Sequence, residues 1–81
     1  MSSAKAYVEV EARFSREGQL MPTAIIWEDG RRYEIDRVTD IAKRASMKAG
    51  GAGIRYTCII GGHQSYLFYE VDRWFVERKT A

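Results

Sequence analysis

The chain has 81 residues, one cysteine, 46% hydrophobic residues and a formal net charge of +2. That length makes one domain, which hides roughly two thirds of the surface its unfolded form exposes, and a single thiol excludes an intramolecular disulfide. So small a charge does not by itself imply a polyanionic partner. No apolar run reaches membrane-spanning length, and the opening MSSAKAYVEVEARF lacks the continuous apolar segment of a signal peptide. A soluble cytoplasmic protein with no membrane role is therefore expected.

From Ala6 to Phe14 the chain alternates, with Ala6, Val8, Val10, Ala12 and Phe14 on one side and Tyr7, Glu9, Glu11 and Arg13 on the other. A period of two predicts one half-buried strand. Ser15 to Gln19 is polar, contains Gly18 and reads as a turn. Pro22 lacks the amide donor that a central strand needs, so it marks a strand start or an edge. The stretch TAIIWEDGRRYEIDRV reads as a hairpin around Asp29 and Gly30. A two-residue loop would separate Ile25 and Trp27 from Tyr33. A three-residue loop with Gly30 in the left-handed position instead gathers Ile25, Trp27, Tyr33 and Ile35 on one face. Burial selects the three-residue loop, because a one-residue slip exchanges the two faces of a strand. Arg32, Glu34 and Asp36 then point to solvent.

Thr39 to Gly53 supports two readings. Thr39 can cap a short helix from Asp40 to Lys48, with Gly50 after its end, or the segment is an ordered loop poor in large apolar residues. GGAG lacks the spacing of a phosphate-binding loop and precedes a strand, so it reads as a connector. In the last third, Ile54, Tyr56, Cys58 and Ile60 share a face, and Arg55, Thr57 and Ile59 share the other. A two- or four-residue loop within GGHQ brings Leu67, Tyr69 and Val71 onto the Tyr56 face. A turn at Asp72 and Arg73 then adds Trp74 and Val76. The expected core is Val8, Val10, Phe14, Ile25, Trp27, Tyr33, Ile35, Ile54, Tyr56, Leu67, Tyr69, Trp74 and Val76. Short strands with closely spaced turns and one long middle connection predict an all-β domain over 1–81. The form expected is a small five- or six-stranded SH3-like barrel with a possible helical turn over 40–48; an OB-type barrel is the alternative.

The pattern P-x4-W-x-D-G-R-R-Y-x-I-x-R-V-x-D from Pro22 to Asp40, with YTCII, YLFYE and RWFVER further on, resembles a family of short bacterial single-domain proteins with SH3-like barrels. The resemblance extends from Tyr7 to Arg78. It implies the fold and brings no catalytic residues with it.

The residues that carry chemistry are few. His63, the only histidine, lies in a Gly-rich turn without the positioned partner of a general base or the further ligands of a metal site. Cys58 falls on the inward face of a strand, where a free thiol behaves as a small hydrophobe. Glu9 and Glu11 belong to a solvated charge alternation. No catalytic residue, metal site or cofactor follows from this, and the chain is not expected to be an enzyme. Two surfaces remain. The outward face of the C-terminal strands carries Ile59, Tyr66, Phe68 and Phe75, bordered by Arg55, Thr57, Glu70 and Glu77. Either the first strand or the Asp40 to Gly53 segment covers these rings, or they form a site for a protein partner or a homodimer, or, ranked below these, for a small ligand. The leading expectation is a non-enzymatic binding module that uses this aromatic face. The second surface is basic, with Arg31, Arg32, Arg37, Lys43, Arg44, Lys48 and Arg55, although Glu34, Asp36 and Asp40 interrupt it. Cations beside aromatic rings can also hold single-stranded nucleic acid, which is the alternative.

Overall fold

A computed structural model describes residues 5–45 and 52–77. Its regular elements are eight strands: β1 (Lys5–Tyr7), β2 (Glu9–Phe14), β3 (Leu20–Ile26), β4 (Arg32–Glu34), β5 (Arg37–Ala45), β6 (Ala52–Ile60), β7 (His63–Glu70) and β8 (Arg73–Glu77). They form two antiparallel sheets, ordered β1-β8-β7-β6-β5 and β2-β3-β4. The all-β class holds. The two sheets do not close into a barrel, and there are more strands than the expected five or six. No helix among the described residues is long and apolar enough to cross a membrane.

The expected first strand, Ala6 to Phe14, is divided at Val8 between the two sheets. Tyr7 pairs with Phe75 in the large sheet, Glu9 pairs with Ile26 in the small one, and the Val8 amide donates to the Trp74 carbonyl at 3.1 Å. Alternation is a local signal and is unaffected when a strand leaves one sheet for another at a corner. The second corner lies at Ile35 and Asp36. Ile35 N donates to Thr23 O at 3.0 Å in the small sheet, and Asp36 N donates to Ile59 O at 2.8 Å in the large one. The Asp36 carboxylate also accepts the Gly61 amide at 3.0 Å, so it is not merely solvated.

The helix proposed over 40–48 is strand as far as Ala45, and its remaining residues, 46–48, lie outside the described residues. A bulge explains the misreading. Val38 pairs with Cys58 and Asp40 with Thr57, leaving Thr39 as the extra residue. The bulge shifts the alternation by one, so Val38 and Ile41, three apart as on a helix, both pack on the core. A second bulge at Thr23 lets Glu11 pair with Ala24 and Ala12 with Pro22. Pro22 therefore sits where a missing donor is tolerated, in a central strand but at an irregularity. Both extra residues are threonines whose hydroxyls bond across the break, Thr23 Oγ1 to Glu11 O at 3.0 Å and Thr39 Oγ1 to Thr57 O at 3.3 Å.

The turns set the registers. Trp27 N donates to Arg31 O and Gly30 N to Trp27 O, and Gly30 has φ 88°, as the three-residue loop requires. Gly61 and Gly62, at φ 58° and 80°, make the two-residue turn between β6 and β7. The next turn is Val71 and Asp72, at φ 52° and 62°, rather than Asp72 and Arg73. The slip leaves Tyr69, Trp74 and Val76 on the expected face, because it shifts each pairing by two positions and preserves parity.

Between the sheets, Ile25, Ile35, Tyr56, Cys58 and Leu67 are buried, with Val8, Val10, Ile54, Tyr69, Trp74 and Val76 packed around them. Tyr56 joins the two layers: its ring meets Trp74 at 5.5 Å, and its hydroxyl donates to the Leu20 carbonyl at 2.5 Å. Two expected core residues are exposed. Phe14, 72% accessible, lies at the far end of β2 opposite Leu20, beyond the part of the small sheet that faces the core. Tyr33 stands on β4, the edge strand of that sheet, and is exposed as well.

Candidate binding surfaces

The outer face of the five-stranded sheet is aromatic and cationic. Register places Tyr7, Phe75, Phe68, Arg55 and Ala42 in one row across β1, β8, β7, β6 and β5. Phe68 and Phe75 stack with centroids 5.1 Å apart and planes 9° from parallel, and Tyr7 meets Phe75 edge-on at 5.8 Å. Cations lie over the rings: Arg73 is 3.6 Å from the Tyr7 centroid, Lys5 is 4.6 Å from that of Phe75, and Arg55 is 5.1 Å from that of Tyr66. Lys5 also reaches Glu70 at 3.5 Å.

Of the face residues expected from the sequence, Phe75 is 4% exposed, shielded by Tyr7, Lys5 and Phe68. It supports the face from below. Phe68 and Ile59 are half-buried, and Tyr66 is 45% exposed. The first strand thus covers part of the patch by extending the sheet edgewise, and it brings Tyr7, 47% exposed, to the same face. Sequence reading placed Tyr7 among the polar neighbours of Glu9; only the pairing of β1 with β8, remote in sequence, sets it beside Phe75.

The structure divides the basic residues. Arg37 and Arg55 sit at outer-face positions of the large sheet, and Arg44 is paired opposite Gly53. Lys43 pairs with Ile54, at a position of the inward parity. Arg31 and Arg32 belong to the other sheet's hairpin, where acids hold them. Arg32 donates through Nε and Nη2 to both Glu11 carboxylate oxygens, at 3.1 and 2.9 Å, and Arg31 lies 3.5 Å from Asp29. The Arg32 bridge spans β3 above Ala24, whose small side chain is fully buried there. It holds the Glu11 carboxyl below its usual range, through hydrogen bonding first and charge second. Lys48 lies outside the described residues.

Cys58 is fully buried, and desolvation pushes its thiol up to about 11, which disfavours the nucleophilic thiolate. His63 is exposed at the end of the Gly61–Gly62 turn.

A cleft of about 770 Å³ opens at one end of the molecule. Pairing between β7 and β8 stops at Phe68 and Phe75 although both strands continue, to His63 and Glu77. The cleft lies where they part. Ile25, Trp27 and Tyr33 line it from the small sheet, and Ile60, Ser65, Val76, His63, Gln64, Tyr66 and Glu77 from the large one.

Comparison with protein-family models, curated proteins and solved structures yields no match.

Proposed function

We propose that this protein is a non-enzymatic binding module that docks on a protein partner, or on a second copy of itself, through the outer face of its five-stranded sheet. The observation that carries the reading is the row from Tyr7 through Phe75 and Phe68 to Arg55, with Tyr66 beside it, over which no described element lies. The docking residues are Tyr7, Ile59, Tyr66 and Phe68, with Phe75 as the buried support that fixes their spacing. Tyrosine and arginine dominate the energetic centres of protein interfaces because they bring large contact area together with a polar tip. Here each exposed tyrosine of the face is already held by an arginine, so little ordering entropy remains to be lost on docking. Lys5, Arg55 and Arg73 share the face with Glu70, and such mixed charge suits two identical surfaces meeting across a two-fold axis. The expected footprint is roughly 800 Å² per partner. A cytoplasmic location and membership of the bacterial SH3-like family belong to this same reading.

Sedimentation from micromolar to millimolar concentration tests it. Concentration-dependent dimerisation that the double variant Tyr7→Ser, Tyr66→Ser abolishes, with the circular dichroism unchanged, is the result expected for self-docking. A protein that stays monomeric throughout, and whose double variant loses no partner in affinity capture, contradicts the reading. The alternative is single-stranded nucleic acid, favoured by Arg73 over the Tyr7 ring and Arg55 over the Tyr66 ring, with Arg37 at an outer-face position of the same sheet. An oligonucleotide titration distinguishes it, because phosphate contacts make affinity fall linearly with log salt.

A further inference from the structure

We infer that the cleft between the parted ends of β7 and β8 binds an alkylated ammonium cation. Its volume of about 770 Å³ falls within the usual range for ligand sites, roughly 300–1,000 Å³. Three rings line it, Trp27, Tyr33 and Tyr66. Elsewhere, Tyr7, Tyr56, Phe68, Tyr69, Trp74 and Phe75 spend their faces on one another. Trp27 and Tyr33 make no ring or cation contact among the described residues, so two of the lining rings are left free to meet a ligand. Tyr66 is held in place, with Arg55 over its ring and the Gln64 amide donating to its hydroxyl at 3.2 Å.

The charge of the lining selects the ligand. The chain is net basic, with 13 Lys and Arg against 11 Asp and Glu, yet no described Lys or Arg lines the cleft and its one acidic group is Glu77. That carboxylate makes no ion pair among the described residues. Its cross-strand neighbour is Lys5, whose ammonium turns instead to Glu70 and the Phe75 ring. Aromatic faces present negative potential, and one unpaired carboxylate adds to it, so a cation is the complementary guest. The remaining lining is Ile25, Ile60 and Val76, with Ser65, Gln64 and His63 as polar neighbours. An apolar floor disfavours a strongly hydrated primary ammonium and suits one whose charge is sheathed in methyl groups. The space exceeds a single ammonium head, so the ligand carries a tail, as a small quaternary amine or as a methylated lysine within a peptide does.

The test follows Trp27 Nε1–H and the amides of Gln64, Tyr66 and Glu77 by nuclear magnetic resonance. At pH 8 the full chain is titrated with choline. Its uncharged carbon isostere, 3,3-dimethylbutan-1-ol, is titrated in parallel, and sodium chloride holds the ionic strength constant. Saturable shifts confined to the cleft, with choline binding about threefold to tenfold tighter than the isostere, support the site. Glu77→Gln, an exposed change that leaves the core untouched, is expected to remove most of that preference. A short peptide carrying trimethyllysine distinguishes the sources: tighter binding than choline assigns the ligand to a modified protein, and weaker binding assigns it to a free amine. Equal affinity for choline and the isostere, no saturable shift, or a preference that Glu77→Gln leaves intact overturns the inference.

Discussion

Two residues hold conformations or environments that their chemistry resists, and each yields a measurement. Val71 occupies the left-handed region at φ 52° in an exposed turn. A β-branched side chain there crowds the backbone, at a cost of roughly 1–2 kcal/mol that glycine avoids and asparagine reduces. Val71→Gly or Val71→Asn is therefore expected to stabilise the fold by about 1 kcal/mol, read as a higher chemical-denaturation midpoint at unchanged slope. A lower midpoint would mean that the turn does not take this form. The second residue is Cys58. Its ordinary thiol value of 9.0 is raised to about 11 by burial, so the unfolded chain ionises first. The contribution is complete below about pH 9 and is lost as pH rises towards about 11, by an amount on the order of 2 kcal/mol. Burial raises the Tyr56 phenol too, so that group acts in the same direction. Cys58→Ala should flatten part of the alkaline decline and leave the tyrosine part. An unchanged slope between pH 9 and 11 would show that the thiol meets water.

At the scale of the strand, the three consecutive strands β6, β7 and β8 carry the structural weight. Their inner faces hold Tyr56, Cys58, Leu67, Tyr69 and Trp74, and Trp74 contacts both tyrosine rings, at 5.5 and 4.7 Å. Trp74→Ala is expected to cost ~3 kcal/mol, the low end of the range for large aromatics because Trp74 is only partly buried. Phe14→Ala, at the open end of β2, should change stability by less than ~0.5 kcal/mol. Equilibrium unfolding of the two variants compares them directly, and similar losses would contradict the assigned packing. The same ordering applies to amide exchange: the slowest protons should lie in the middle of β6 and β7, each flanked by strands on both sides, and the fastest in β4.

The whole molecule is two sheets around one core. Ile25 comes from the small sheet, Tyr56, Cys58 and Leu67 from the large one, and Ile35 from the corner between them, so neither sheet buries its apolar face alone. Loss of the small sheet would expose the apolar face of the large one to water, which makes independent unfolding of the small sheet unfavourable. A single cooperative transition is expected. Trp27 and Trp74 report from opposite sheets, so the single variants Trp27→Phe and Trp74→Phe leave one emitter on each side. Their fluorescence midpoints, each compared with far-ultraviolet dichroism of the same variant, should coincide. Separated midpoints within one variant would show that the layers come apart in steps.

The alternation of Ala6 to Phe14, the Gly30 loop and the paired faces of β6, β7 and β8 were legible in the sequence because each rests on neighbours a few residues apart. Period-two patterning states which side of a strand is apolar, and a glycine at the third position of a loop settles the hairpin register. From these the all-β class, most of the core and the aromatic outer face follow. The sequence does not say which sheet a strand joins. The break at Val8, the bulges at Thr23 and Thr39 and the turn at Val71 are choices among conformations of similar local energy, decided by contacts between residues far apart in the chain. Those same contacts bury Phe75, expose Tyr33, scatter the arginines and open the cleft beside Glu77. The candidate surfaces were legible as lists of residues, but which members stand together was set by long-range pairing, since proximity across strands is a property of the folded sheet and not of spacing along the chain.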